Sequence, residues 1–353
     1  MLVELPYRRI LVLTEGLLGT FTSKTAVCLL RYRPNDVVGV LDRAHAGQPL
    51  RSLIDGVGDV PILASVSEAL SSLPERPNAV VIGVAPVGGA LPGPMRQHVI
   101  DALRSGLSII SGLHAPLHRD PELAQLAERH HARIHDVRDP GPIERIACGL
   151  ARQTRVKRVL TVGTDCNVGK MVTAYELRDT ASKAGLDAAF VATGQTGIML
   201  EGWGIAIDHV LSDFTAGAVE MLVEQVAHRQ ICFIEGQGSI AHPGYSGVTL
   251  SLLHGACPDV MVVCHRPDRD VHSSWADCPV APVAEQITLY EKVLEPLYPA
   301  KVVAVALNTV GMPDEAAVRT LETITNQTGL PTTDPIRWGC QPLLVAVRQY
   351  LGI

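Results

Sequence analysis

The stretch "RVLTVGTDCNVGKMVTAYEL", residues 158–177, decides the fold. An apolar, β-branched run leads into a loop bounded by Gly163 and Gly169, and Lys170 opens a segment of helical pattern. This is the frame GxxxxGK between a strand and a helix. Such a loop wraps backbone N–H groups around an anion at the start of a helix, where the helix dipole favours negative charge. Lys170 adds a full positive charge. The next position, where loops of this kind place a magnesium-binding serine or threonine, holds Met171. A thioether is a poor ligand for that hard cation, on which phosphoryl transfer depends. Thr173 is no substitute, because two residues along a helix lie about 200° around its axis. The loop of Gly163, Thr164, Asp165, Cys166, Asn167, Val168, Gly169, Lys170 and Met171 is therefore expected to grip a pyrophosphate that serves as a handle, as in coenzyme A, rather than one to be cleaved.

Outward from this loop, the chain alternates β-rich and helical segments on both sides. Upstream, "RILVLTE" (9–15), "VVGVLDR" (37–43), "AVVIGVA" (79–85), "LSIISGL" (107–113) and "ARIHDVR" (132–138) read as buried parallel strands. Between them "SKTAVCLLRYR", "SVSEALSSL", "GPMRQHVIDALRSG" and "DPELAQLAERHH" carry apolar residues at helical spacing. Downstream, "AAFVATG" (188–194), "QICFIEGQG" (230–238), "DVMVVCHRP" (259–267) and "KVVAVALNT" (301–309) end in polar or glycine-rich turns. This alternation predicts α/β architecture with doubly wound parallel sheets. "DPGP" at 139–142 interrupts it, and "IERIACGLARQTR" (143–155) reads as a connecting helix, so two domains are expected, 1–150 and 151–353.

Composition narrows the function. A formal net charge of -6 over 353 residues argues against a broadly basic nucleic-acid surface. Eight cysteines lie scattered without a CxxC pair, as in a reducing compartment with free thiols and no structural zinc. The start "MLVELPYRRILVLTEG" lacks the pattern of a signal peptide, and no segment approaches the roughly 18 apolar residues of a membrane helix. A cytoplasmic protein is expected, with no membrane or nucleic-acid partner and with a homo-oligomer as a natural assembly.

Parallel strands bring the other motif-bearing turns to the edge where the loop lies. In "TGQTGIML" (193–200), Gln195, Thr196 and Gly197 suit close contact with a small polar substrate, although an ordinary strand-to-helix turn reads the same way. In "IEGQGSIAHPGYSG" (234–247), Glu235 follows an apolar strand, is a candidate general base, and has Gln237 beside it. The alternative for Glu235 is a structural carboxylate that caps nearby amides. "LSDFTAGAVE" (211–220) offers Asp213 as a second base or as a helix N-cap. His242, His254 and His265 show no metal-ligand spacing and take surface or packing roles by default, while Asn308 and Thr309 end a late strand where an adenine could be read. In the first half, "TEGLLGTFTSKTA" lacks the full GxGxxG pattern.

Together "GTDCNVGKM", "ATGQTGIM", "SDFTAGAVE" and "IEGQGSIAHPGYSGVTLSLLHG", with "KTAVCLLRY" and "GVAPVGG" in the first half, resemble the D-glutamate N-acetyltransferase-like family over most of the chain. The methionine after the loop lysine belongs to that family's pattern. The resemblance implies a Rossmann-like N-terminal domain and a P-loop C-terminal domain related to that of dethiobiotin synthetase. It also implies transfer of acetyl from acetyl-coenzyme A to the amino group of a D-amino acid such as D-glutamate. On this reading residues 163–171 hold the coenzyme, Glu235 or Asp213 accepts the amine proton, and Gln195, Thr196, Gly197 and Gln237 place the substrate. Two alternatives remain: a magnesium-ATP-dependent kinase or ligase of the dethiobiotin synthetase type, and a noncatalytic nucleotide sensor.

Overall fold

The computed structural model describes residues 7–20, 22–86 and 89–353. Part of the "GVAPVGG" motif, Val87 and Gly88, lies outside the described residues, as do Phe21 and the first six residues. The chain divides into two compact units, Met1–Gly141 with Ile198–Ala206, and Pro142–Gly197 with Ile207–Ile353.

Unit 1 carries strands β1 (Ile10–Leu13), β2 (Val37–Leu41), β3 (Ile62–Leu63), β4 (Ala79–Ile82), β5 (Ser108–Ser111) and β6 (Ile134–Asp136). Its main helices are α1 (Lys24–Tyr32), α2 (Val66–Ser72), α3 (Gly93–Arg104) and α4 (Pro121–Arg129). The strands pair in parallel in the order β3-β2-β1-β4-β5-β6, the Rossmann order, with the chain reversing direction at β1. β1 and β4 are buried along their whole length, which is why they read as unbroken apolar runs.

The second sheet repeats this logic with β7 (Lys157–Gly163), β8 (Ala188–Val191), β9 (Ile231–Ile234), β10 (Val260–His265), β11 (Lys301–Leu307) and β12 (Thr332–Thr333). Between and after them run α5 (Lys170–Lys183), α6 (Gln195–Glu201), α7 (Ser212–Gln225), α8 (Ser246–Ala256), α9 (Val283–Leu294), α10 (Asp314–Thr328) and α11 (Gln341–Leu351). The order is β12-β11-β10-β7-β9-β8, all parallel, so the loop after β7 sits mid-sheet with β9 on one side and β10 on the other. The α/β architecture expected from the alternation is present in both units. The strands themselves are shorter than the apolar runs that announced them, and the two-residue β3 and β12 had no such run.

One expected element is absent. Residues 143–155 form no α-helix; only a 3₁₀ turn, Leu150–Gln153, interrupts an extended path. The cause lies in α7. Glu220, almost fully buried, accepts the N–H groups of Cys148 and Leu150 at 3.2 and 2.6 Å, and Arg145 pairs with its Oε1 at 3.0 Å. Gly217 admits the extended backbone, since a Cβ there would stand 1.8 Å from the Arg145 carbonyl oxygen. Amides satisfied by a buried carboxylate have no need of a helix. Among the described residues no helix is long and apolar enough to cross a membrane.

Candidate functional site

The loop after β7 has the geometry of a phosphate cradle. Asn167 (φ 55°) and Gly169 (φ 109°) take left-handed conformations, turning the chain so that α5 begins at Lys170. Asparagine and glycine tolerate that region best. Lys170 is buried, its stem running against Gly163 and Gly236, and its Nζ donates to the carbonyl oxygen of Asp165 at 2.7 Å. Thr161 fixes the base of the loop: its hydroxyl lies 3.0 Å from the Lys170 carbonyl and accepts the Gly236 N–H at 3.0 Å. Gly236 must be glycine, because a Cβ there would lie 1.9 Å from the Thr161 carbonyl oxygen. Met171 is buried in the first turn of α5.

Asp165 is tied to the segment that follows β10. Arg269 donates to its Oδ2 at 2.7 Å, and the Ser273 N–H does so at 2.9 Å. On the other oxygen, His272 Nδ1 stands at 3.2 Å and Ser273 Oγ at 3.3 Å. Burial pushes the Asp165 carboxyl up, but these donors outweigh it and hold the group below the ordinary aspartate range. Burial also pushes the Cys166 thiol up, with Lys170 drawing it partly back.

Asp165, Cys166 and His242 bring an oxygen, a sulfur and a nitrogen within 4.8 Å of one another, a donor set that suits a soft divalent cation. The ring nitrogens of His242 are engaged, however. Nδ1 accepts the Gly244 N–H at 3.0 Å, which leaves the proton on Nε2 for the Ser273 carbonyl at 2.8 Å. With Arg269 on the carboxylate as well, the group works as a hydrogen-bonded brace between three loops. Sequence reasoning gave His242 a default packing role and left Arg269, His272 and Ser273 unremarked. About a hundred residues separate them from Asp165, and the only signal was an unusually polar stretch, "RPDRDVHSS" (266–274).

Two further side chains frame the loop. Tyr290 of α9 donates its hydroxyl to the Gly163 carbonyl at 2.8 Å and accepts from Ile240 N–H at 3.1 Å; burial pushes this phenol up to about 12. His265, at the end of β10, places Nδ1 3.0 Å from the Thr164 hydroxyl, and burial lowers its pKa to about 4, so the imidazole is neutral near pH 7.

On the β9 side, the sequence-nominated residues converge in part. Glu235 directly follows β9 and is buried; its Oε2 accepts the Thr193 and Gly194 N–H groups at 3.0 and 3.1 Å. The Thr193 hydroxyl returns a bond to the Glu235 carbonyl at 2.7 Å, and Gln237 Nε2 reaches that hydroxyl at 3.2 Å. Gly197 packs on the carboxylate so closely that a Cβ there would lie 2.3 Å from Oε2. Glu235, Gln237, Thr193, Gly194 and Gly197 thus form one cluster, with Gln195 and Thr196 between the two glycines at the start of α6, and Glu235 has the amide-capping contacts of the structural alternative. Asp213 stands apart from that pattern. It is exposed in the first turn of α7, inside the helix rather than at its N-cap, which is Leu211.

Two family models cover most of the chain: "Domain of unknown function (DUF1611_N) Rossmann-like domain" over residues 43–140 and "Domain of unknown function (DUF1611_C) P-loop domain" over 145–344. A D-glutamate N-acetyltransferase of Tritonibacter scottomollicae is 35% identical over 350 residues, 98% of this chain and 99% of that one. Another, from a Pseudoalteromonas species, is 36% identical over 269 residues, 75% and 79% of the two chains. The crystal structure of a DUF1611 family protein from Anabaena variabilis superposes with a TM-score of 0.91 at 41% identity, covering 97% of this chain and 99% of that one.

Proposed function

The chain belongs to the DUF1611 family, relatives named D-glutamate N-acetyltransferase match it over most of their length, and on that premise we propose that it is an acetyl-coenzyme A-dependent N-acetyltransferase acting on D-glutamate or a similar D-amino acid. The observation that carries the coenzyme assignment is the loop at 163–171: an intact anion cradle with a charged lysine, followed by a buried thioether where a magnesium ligand would be. Such a loop retains affinity for a pyrophosphate and loses fitness for its cleavage. The Asp165 carbonyl is a stand-in partner for Lys170 Nζ, which turns to the pyrophosphate when coenzyme binds.

In the reaction the neutral amine nitrogen attacks the thioester carbonyl carbon. A C–N bond forms, the C–S bond breaks, the sulfur leaves as coenzyme A thiolate, and the amine loses a proton. Glu235 is our candidate to receive that proton, since it follows the strand beside the loop and packs against Gly197; we assign Gln195, Thr196, Gly197 and Gln237 to the acceptor. Asp213 is the weaker candidate because of its exposure in α7.

The test is thiol release from acetyl-coenzyme A in the presence of D-glutamate, L-glutamate and no acceptor, with the product identified by mass. N-acetyl-D-glutamate formation is the expected result. Magnesium-dependent ATP hydrolysis without thiol release would replace this reading by the kinase or ligase one. Lys170→Ala should raise the KM for acetyl-coenzyme A by about tenfold or more through loss of a charge-assisted contact; unchanged kinetics would remove the loop from the site.

A further inference from the structure

The loop that follows β9 carries the motif "IEGQGSIAHPGYSG" (234–247), and the reaction above uses only Glu235 and Gln237 from its beginning. Its far end places Tyr245 at the N-cap of α8. Serine, threonine, aspartate and asparagine stabilise that position by accepting a helix N–H, a bond that Tyr245 does not make. Tyr245 is 46% exposed, so an incoming ligand can reach it.

Contacts on two sides fix where Tyr245 stands. On the acceptor side, Gly238 takes a left-handed conformation (φ 59°), and a Cβ there would lie 2.7 Å from the Tyr245 carbonyl oxygen and 3.0 Å from Tyr245 Cβ. Thr249 Oγ1 lies 2.8 Å from the Gln237 carbonyl oxygen and 3.1 Å from that of Tyr245, joining the two residues through one hydroxyl. On the side of the phosphate loop, the Tyr245 ring packs against the His242 imidazole with centroids 4.6 Å apart. His242 Nε2 in turn stands 3.8 Å from Asp165 Oδ1. Tyr245 is thus held between the two parts that the reaction joins, the acceptor cluster and the loop assigned to the coenzyme.

The chemistry leaves one task to be filled there. As the amine adds, the thioester carbonyl oxygen takes on negative charge, and a hydrogen-bond donor held against it lowers the barrier. Donors of the acceptor cluster are already engaged. The Thr193 and Gly194 N–H groups cap Glu235, the Thr193 hydroxyl serves the Glu235 carbonyl, and Gln237 Nε2 reaches that hydroxyl.

We propose that the Tyr245 hydroxyl donates to the thioester carbonyl oxygen. This rests on the acetyl-coenzyme A reading above. The nitrogen lone pair forms the C–N bond while the carbonyl π pair moves onto oxygen, where the phenol stabilises it without giving up its proton. That pair then returns, the C–S bond breaks, coenzyme A leaves as thiolate, and the amine proton goes to Glu235. Being exposed, the hydroxyl exchanges a bond to solvent for this one.

The experiment compares wild type with Tyr245→Phe, which keeps the ring against His242 and removes the hydroxyl alone. Thiol release with D-glutamate gives kcat and KM. The same samples are titrated calorimetrically with S-ethyl-coenzyme A, a thioether without the carbonyl oxygen, and melted for Tm. The expected result is a kcat lower by about 100-fold, with the KM for acetyl-coenzyme A within a few-fold and both Tm and S-ethyl-coenzyme A affinity unchanged.

A Tyr245→Phe kcat within threefold of wild type would overturn the proposal. A lower kcat accompanied by weaker S-ethyl-coenzyme A binding or a lowered Tm would also overturn it, giving the hydroxyl a binding or structural role instead. Wild type that neither binds the analogue nor releases thiol would overturn both this proposal and the coenzyme reading. Wild type that forms N-acetyl-D-glutamate while Tyr245→Phe matches its rate would overturn this one alone.

Discussion

Glu235→Gln separates two roles that the same carboxylate can fill. Oε2 accepts from two buried backbone N–H groups, those of Thr193 and Gly194. Glutamine keeps the size and one carbonyl acceptor, so both amides retain a partner, but a charged acceptor becomes a neutral one. The difference between charge-assisted and neutral hydrogen bonds is about 1 kcal/mol each, so the variant should lose about 2 kcal/mol of stability. The turn itself should survive, because the Thr193 hydroxyl holds the Glu235 backbone carbonyl independently of the substituted side chain. A structural role alone predicts this loss, read by urea unfolding, with kcat for thiol release nearly unchanged at a temperature where the variant is folded. A general base contributes about 100- to 10,000-fold, so kcat should fall by at least about 100-fold while the KM for acetyl-coenzyme A stays within a few-fold. A folded Glu235→Gln protein with kcat within threefold of wild type would refute Glu235 as the proton acceptor.

Further outcomes follow from the same contacts. Asp165→Ala strands the Arg269 guanidinium and the Ser273 N–H beside an emptied buried position, and should cost about 3–5 kcal/mol by chemical denaturation; a loss below about 1 kcal/mol would mean that the brace is dispensable. Gly236→Ala would drive a Cβ to 1.9 Å from the Thr161 carbonyl oxygen, and should yield insoluble protein or a Tm lowered by many degrees, whereas a wild-type melting curve would contradict that close approach. His265 has a folded pKa lowered from 6.5 to about 4, so the unfolded chain takes up the proton first as pH falls. Its contribution is complete above about pH 6.5 and declines toward pH 4, by up to about 3 kcal/mol in total. His265→Asn should flatten that part of the stability profile, and parallel profiles would contradict the assignment.

The sequence carried the strand-helix alternation well because parallel strands covered on both faces must be apolar throughout, as in β7 and β10. It carried the loop at 163–171 because the cradle is contiguous, with Gly169 in a left-handed conformation and Gly163 closely approached by Val168 and Lys170. The segment 143–155 misled for the opposite reason: its helical spacing of apolar residues was overruled by Glu220, some seventy residues away, which takes its amides. The brace around Asp165 and the buried contacts of Tyr290 were illegible on the same ground. Each depends on which loops the sheet order sets side by side, and nothing local to Arg269, His272 or Tyr290 marks that adjacency. Glu235 was found as a residue, yet its capping contacts with Thr193 and Gly194 came only with the fold.

The central claim is that the loop ending in Lys170 and Met171 holds a coenzyme pyrophosphate rather than a magnesium nucleotide to be cleaved. Calorimetric titration of the purified chain with acetyl-coenzyme A, and separately with ATP plus magnesium, tests it most directly. Saturable binding of acetyl-coenzyme A that magnesium does not strengthen, and that Lys170→Ala weakens, is the predicted result. Binding of ATP only, and only with magnesium, would contradict it.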